Sequence, residues 1–352
     1  MGRPGVGPSI TRQSLYFIAP HRVEVCQEPL PPPSPDQVLV QTLVSAISPG
    51  TELLIYRGQA PADLPVDETI SALAGTFAFP LKYGYAAVGR VIAVGAAVDP
   101  GWLGRLTFAF HQHESHFLAA ADELFAVPLQ LTPEEAAFLP NMETAVNFVM
   151  DGRPVLGESV VVFGQGIVGL LTAALLARCP LSRLVTLDRY PLRREHSLRL
   201  GAHLSVDPME PEVIVRVRAG LHDDAPDGGA DLAYELSGNP EALDQAIAVT
   251  GFHGRVVIGS WYGQKVAPLQ LGGRFHRSRI RLISSQVSTI APEFLGRWSK
   301  ARRLRIAWQM LAWLRPAALI THRVPFARAA EAYALLDQHP EEAIQVLLTY
   351  ED

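Results

Sequence analysis

The stretch from Ser159 to Asp188, "SVVVFGQGIVGLLTAALLARCPLSRLVTLD", constrains the fold more than any other part of the chain. A run of valines and Phe163 leads into Gly164, "IVGLLTAALLARC" has helical composition, and "LVTLD" reads as a second strand. Gly164, Gly166 and Gly169 take GxGxxG spacing between strand and helix. In such a turn the first glycine permits the tight reversal and the second lets the backbone approach a pyrophosphate. The third allows close helix–strand packing, while free N–H groups at the helix start hold the anion. Gly164, Gln165, Gly166, Ile167, Val168 and Gly169 are therefore candidate cofactor-binding residues. Asp188 closes the second strand, 19 residues beyond Gly169. An acid there accepts ribose hydroxyls and repels a 2′-phosphate, whereas Arg189 beside it can pair with that phosphate or stack on adenine. The expected cofactor is NAD, with NADP the less favoured choice. A purely structural glycine turn with a surface aspartate is the weaker alternative in this context.

The same rhythm continues through "RREHSLRLGA", "DLAYELSG", "PEALDQAIAVT" and "RVVIGS", which predicts a doubly wound parallel sheet over residues 141–288. The first 130 residues read differently. "QVLVQTLVSAI", "AAVGRVIAVG", "RLTFAF" and "HFLAAADEL" are short strand runs with Gly/Pro punctuation, as in a β-rich barrel or sandwich. "PPPSP" at 31–35 is a turn or link. The alternation stops near 289, where "EFLGRWSKARRLRIAWQMLAWL" reads as a long helix. A chain of 352 residues accommodates the resulting division into 1–140, 141–288 and 289–352.

Composition excludes several classes of function. A net charge of −5 gives no electrostatic footprint for nucleic acid. Cys26 and Cys179 are too few for a disulfide framework and lack metal-binding spacing, which fits a reduced, cytoplasmic setting. The start "MGRPGVGPSITRQ" has no apolar signal core and reads as a loose tail, and no apolar run reaches membrane-spanning length. A soluble protein with a small-molecule substrate is expected.

Several stretches in order carry a family likeness: "YGYAAVGRVIAVG" at 83–95, the glycine turn, "LRLGAHLSVDP" at 198–208, "ELSGNPEALDQAIAVTGFHGRVVIGSWYG" at 235–263 and "ITHRVPFARAAEAY" at 320–333. Together they cover most of the chain, which resembles the medium-chain dehydrogenase/reductase (alcohol dehydrogenase-like) superfamily. The resemblance implies a GroES-like catalytic domain made from both ends of the chain, joined to the Rossmann domain, with substrate in the cleft between them. It also implies a homodimer that pairs near "VVIGSWYGQKVAPLQL". "SAISPGTELLIYRG" and the "SG…GRVVIGSWY…ITHR" pattern are most similar to the bacteriochlorophyllide a dehydrogenase-like members. That likeness is partial, and their tetrapyrrole substrate is not carried over.

The resemblance also shows what is missing. Zinc members hold the metal with a Cys near Ser48, a His–Glu pair at the positions of Tyr85 and Ala86 after Gly84, and a third ligand near Pro140 and Thr144. None of these is a good zinc ligand. No cysteine lies between residues 27 and 178 either, so the four-cysteine structural zinc loop is absent. No metal is expected. The oxygen that gains or loses a proton then needs hydrogen-bond donors. Ser48, Thr51 and Tyr85 are hydroxyl residues at cleft-lining family positions, and Thr51 matches the position that relays the proton. Ser48 and Thr51 have the alternative role of capping the "SPGTE" turn. Glu52 sits where relatives carry an acid, to orient a neighbour or as plain surface. In "FAFHQHESHF", His111 and His113 would share one side if the segment were a strand, and with Glu52 or Glu143 could hold a metal. A polar loop is the favoured reading, with His111 the candidate proton shuttle. His322 reads as packed structure, and the arginine-rich segments at 272–282 and 297–306 as solvated faces.

The expected function is hydride transfer between NAD(H) and an alcohol or ketone without catalytic zinc, on a fairly large substrate by the closest resemblance. An NADPH-dependent enoyl or quinone reductase is the nearest alternative. A dinucleotide-binding sensor or structural protein that has lost catalysis is the alternative from another class.

Overall fold

The computed structural model describes residues 10–61, 63–67, 70–221 and 228–351. The expected N-terminal tail falls outside the described residues as far as residue 9. Its last residues, Ile10–Gln13, instead open the first strand. The chain divides into two compact units, one of residues up to 140 with 311 onward, the other of 141–310.

The first unit begins with β1 (Ile10–Ala19), β2 (Arg22–Leu30) and β3 (Gln37–Ala46), then α1 (Pro49–Tyr56) and β4 (Leu81–Lys82). β5 (Ala87–Val94), β6 (Leu106–Ala109), β7 (His116–Ala120), β8 (Phe125–Ala126) and α2 (Pro133–Ala136) follow. α2 starts on a reciprocal cap, with Thr132 and Glu135 each bonding the other's backbone N–H. α3 (Leu139–Gly152) leads into the second unit.

There β9 (Ser159–Phe163), α4 (Ile167–Leu176), β10 (Arg183–Leu187) and α5 (Pro191–Arg199) alternate as predicted, and β11 (Leu204–Val206) and α6 (Val213–Gly220) follow. β12 (Ala230–Glu235), α7 (Pro240–Val249), β13 (Thr250–Ile258) and β14 (Arg281–Ser284) complete the sheet. Its order is β11-β10-β9-β12-β13-β14, all parallel. This is the Rossmann order, with the reversal of direction between β9 and β12. Every residue of β9 is buried. Val160 and Val162 face one core with Leu232 and Tyr234, while Val161 and Phe163 face the other with Val185 and Ala233. That split follows from the two-residue repeat of a strand covered on both faces.

The return is later than the expected 289. The segment before it is not continuous helix, because a short turn at Pro292–Phe294 precedes α8 (Lys300–Leu314). Arg303 explains why the start of α8 stays with the second unit. It is fully buried, and its guanidinium bonds Glu143, Asn147 and the carbonyls of Val287 and Thr289. The segment read as a solvated arginine face thus carries a buried anchor. Beyond α8, β15 (Ile320–Pro325), α9 (Ala329–Gln338) and β16 (Gln345–Thr349) rejoin the first unit. Its larger sheet runs β15-β16-β3-β5-β6-β8, with β7 also on β3. β3 is central: Ser45 lies opposite both Ala87 and Leu348. A second sheet has the order β2-β1-β4.

Candidate active site

In the second unit the glycine turn is made of backbone. Gly164 has φ +88°, a conformation that strongly favours glycine. A Cβ on Gly169 would lie 1.9 Å from the Gly164 carbonyl oxygen, so helix and turn touch directly. A Cβ on Gly166, which caps α4, would meet nothing within 4 Å. The turn is tight where packing needs it and open at the helix N-terminus, where N–H groups lack helical partners and attract an anion. These residues fit a dinucleotide diphosphate. The Gln165 side chain points elsewhere. It is fully buried, its Nε2 donates to the Gly164 carbonyl at 2.9 Å, and its Oε1 has no hydrogen-bond partner. Ile167 is buried too, so Gln165 and Ile167 can offer a ligand only backbone.

Asp188 follows β10 and braces this turn. One carboxylate oxygen accepts the Gln165 N–H at 2.7 Å and the other the Tyr190 N–H at 2.9 Å. A carboxylate has about four acceptor positions, so capacity for ribose hydroxyls remains. Arg189 is exposed, with its guanidinium 6.0 Å from the Tyr190 ring. Arg193, missed in the sequence, lies 4.0 Å from Asp188.

In the first unit the three expected hydroxyls come together. The Tyr85 hydroxyl donates to Ser48 Oγ and also hydrogen-bonds Thr51. Burial pushes the phenol up to about 12, helped by the Glu52 charge and opposed by the bonds to Ser48 and Thr51. Tyr85 therefore stays a protonated donor at neutral pH. Ser48 occupies the N-cap of α1, yet its side chain makes no cap bond. Glu52 Oε1 takes the Ser48 N–H instead, at 2.7 Å.

Glu52 is no surface acid. It is fully buried, and its other oxygen accepts the Tyr333 hydroxyl at 2.5 Å and lies 3.1 Å from His113 Nε2. Burial and the Glu52 charge hold the Tyr333 phenol well above its ordinary range. His113 Nδ1 is 2.7 Å from Ser45 Oγ, which is 2.9 Å from the Tyr350 hydroxyl. Every contact is satisfied if Tyr350 donates to Ser45, Ser45 to His113 Nδ1, and His113 Nε2–H to Glu52. The ring also backs onto Gly84, where a Cβ would come within 2.6 Å of it. His113 thus underpins both the start of α1 and the residue before Tyr85. Sequence order had no signal for this, since its partners come from positions 45, 52 and 84.

His111 lies on a loop, in line with the favoured reading. The segment from Phe110 to Ser115 is loop, so His111 and His113 share no strand face. The His111 ring stacks on Phe117 at 4.1 Å, and burial holds its pKa below the ordinary value despite the pull of Glu114. Its Nδ1 lies 3.4 Å from the Gln112 carbonyl oxygen and 3.8 Å from Glu114, and His113 and Glu114 make this loop a buried one. Glu143 is tied to Arg303 in the second unit. His322 lies part-buried on β15.

The donor set in the first unit does not fit zinc. Zinc takes thiolate, imidazole and carboxylate ligands. The gathered atoms are hydroxyls, and both nitrogens of the neighbouring imidazole are engaged by Ser45 and Glu52. Among the described residues, the group of three or more potential metal-binding side chains with ligand atoms within 4.8 Å of one another is His339, Glu341 and Glu342, all exposed.

Comparison with known proteins agrees with both units. The family described as zinc-binding dehydrogenase matches residues 168–302. D-guloside 3-dehydrogenase of Escherichia coli (strain K12) is 23% identical over 334 residues, which cover 90% of this chain and 93% of that protein. An alcohol dehydrogenase from E. coli CFT073, solved with NADH, superposes with a TM-score of 0.77 at 18% identity, covering 96% of this chain and 99% of that one. A Sinorhizobium meliloti 1021 protein bound to NADP gives 0.76 at 20% identity, covering 97% and 99%. With a GroES-like β-rich unit and a Rossmann unit in this order, the chain has the architecture of the medium-chain dehydrogenase/reductase superfamily, and its similarity to these proteins is that of an oxidoreductase of the dehydrogenase type.

Proposed function

We propose that the protein transfers a hydride between NAD(H) and an alcohol/ketone pair without catalytic zinc. The observation that carries this is the cluster of Ser48, Thr51 and Tyr85 hydroxyls on the Glu52-braced start of α1. The nicotinamide, when bound, supplies or accepts the hydride. Tyr85 and Thr51 hold and move the proton of the substrate oxygen, and Ser48 orients Tyr85. With hydroxyls at the positions where zinc relatives hold the metal, donors replace a Lewis acid. The preference for NAD is supported by the Asp188 carboxylate at the end of β10. A relative named as dehydrogenating a guloside supports an alcohol as the substrate class. Free Cys26 and Cys179 suit the cytoplasm, and a homodimer is the assembly we infer.

The exposed Arg189 favours a second reading, an NADPH-dependent enoyl or quinone reductase. Parallel fluorescence titrations with NADH and NADPH separate the two. Much tighter NADH supports the alcohol/ketone reading, and tighter NADPH overturns it. Replacing Thr51 and Tyr85 together should abolish turnover while cofactor affinity stays. A protein that binds cofactor but turns over no alcohol, ketone, enone or quinone would be a sensor or structural partner instead.

A further inference from the structure

The strand order reverses between β9 and β12, so the connections leaving these two strands diverge and form the crevice of the sheet. One lip is the glycine turn. The other is the segment Leu236–Asn239. The two touch: a Cβ on Gly164 would lie 2.7 Å from the Leu236 carbonyl carbon and the Ser237 nitrogen. The position of the second lip therefore sets the room left at the first.

One buried side chain makes the largest share of the bonds that hold that lip. Glu235, the last residue of β12, is fully buried. Its Oε1 accepts the Ser237 N–H at 2.7 Å, the Ser237 hydroxyl at 2.5 Å and the Gly238 N–H at 3.0 Å. Its Oε2 accepts the Tyr262 hydroxyl at 2.8 Å. Burial, with the Glu235 charge and this bond, raises the Tyr262 phenol. Gly238 sits at φ +66°, its N–H is shared with Ser260 Oγ at 2.8 Å, and its carbonyl takes Lys265 Nζ at 2.9 Å. These four bonds to the carboxylate all come from neutral N–H and O–H donors of one short loop and one tyrosine. A buried carboxylate so arranged acts as a template: it fixes the path of the backbone around it.

We propose that Glu235 is the positioning residue of the dinucleotide site, holding the Leu236–Asn239 lip against the glycine turn by accepting hydrogen bonds. This rests on the glycine turn being a dinucleotide site. The role belongs to the acceptor geometry rather than to the charge, because a glutamine Oε1 can take the same loop donors while its amide N–H turns to the Tyr262 oxygen.

The test is NADH titration by fluorescence, with circular dichroism confirming that each protein is folded at the titration temperature. Glu235→Ala should weaken NADH binding at least about 10-fold, and Glu235→Gln should stay within about 3-fold of wild type. Ser237 is exposed, so Ser237→Ala gives a folded variant even where Glu235→Ala does not. It removes the hydroxyl that bonds Glu235 and receives the Asn239 N–H, and should weaken binding about 3-fold. Alanine at 235 binding like wild type, glutamine failing as badly as alanine, or Ser237→Ala without effect would each overturn the proposal. Wild-type protein that binds neither NADH nor NADPH would overturn the glycine-turn reading itself, and this inference with it.

Discussion

The glycine turn of the second unit and the hydroxyl cluster of the first are built from opposite materials. The turn is backbone over six residues, where missing side chains matter most: Gly164 for its dihedral, Gly169 for its contact, Gly166 for its open face. The cluster is made of side chains from positions 45 to 350, joined by hydrogen bonds across β3, α1, α9 and the residues after β16. A site of the first kind fails when an atom is added. A site of the second kind fails when one is taken away.

The largest expected effect exploits the first half of that contrast. Gly169→Ala places a methyl 1.9 Å from a backbone oxygen that has no rotamer to escape into. Overpacking of this severity lies beyond the usual range of about 1–3 kcal/mol. NADH binding should be lost and thermal stability lowered. Unchanged titration would mean the turn can open, and the contrast between the two sites would fall.

Next comes removal of atoms from the cluster. Thr51→Val with Tyr85→Phe deletes two donors without adding bulk. Loss of a donor aimed at a developing charge costs about 2.7–4 kcal/mol in the barrier, roughly 100–1000-fold in kcat. NADH affinity should stay, because that site is in the other unit. Turnover unaffected by the pair would leave the hydroxyls with a packing role only.

His113→Ala sharpens the comparison further. It leaves the fully buried Glu52 without one donor and the Ser45 hydroxyl without its acceptor, which costs about 1–3 kcal/mol. The loss should appear as a lower midpoint in urea. His113→Gln, whose amide can still donate to Glu52, should recover part of it. Equal stability of all three proteins would show that the imidazole is not what holds the start of α1.

The same contrast explains which parts were legible in the sequence. Strand β9, the turn and β10 announce themselves because spacing along the chain is the structure there. β11 and β14 did not. Each is short, three and four residues, and "RLIS" sits inside an arginine-rich run whose composition masks the strand. Ser48, Thr51 and Tyr85 could be placed by resemblance, since they occupy positions on recognisable motifs. His113 could not. His111 and His113 look alike in "FHQHES", and only the fold buries one against Glu52 and stacks the other on Phe117. The buried role of Arg303 was hidden for the same reason, its partner Glu143 being 160 residues away in sequence.

Acid should separate the two units by a smaller effect. In the first unit burial pushes the Glu28 carboxyl up, but hydrogen bonds from Tyr16 and Ser14 and the charges of Lys82 and Arg12 outweigh it and hold it at about 2, against 4.5 for the free group. A depressed folded value means that the unfolded chain takes up the proton first. The stabilisation is full above about pH 5 and is lost as pH falls toward 2. Allowing for the 24% exposure of Glu28, that loss is about 1–2 kcal/mol. In the second unit burial raises Glu143 against the pull of Arg303, and raises Asp151 against its bonds to Ser285 and Asn147 and the charge of Arg303. A raised carboxyl costs stability at neutral pH, and that cost disappears on acidification. Glu158 runs the other way: burial raises it, and the Arg255 contacts more than reverse this. The two tendencies offset each other in the second unit, while Glu28 in the first meets no such balance. Hydrogen-exchange protection factors followed from pH 6 to 3 should therefore fall in β1 and β2 before they fall in β9, β10 and β12. Simultaneous loss in both units would show that they open as one cooperative body, and that the difference in their construction does not reach their stability.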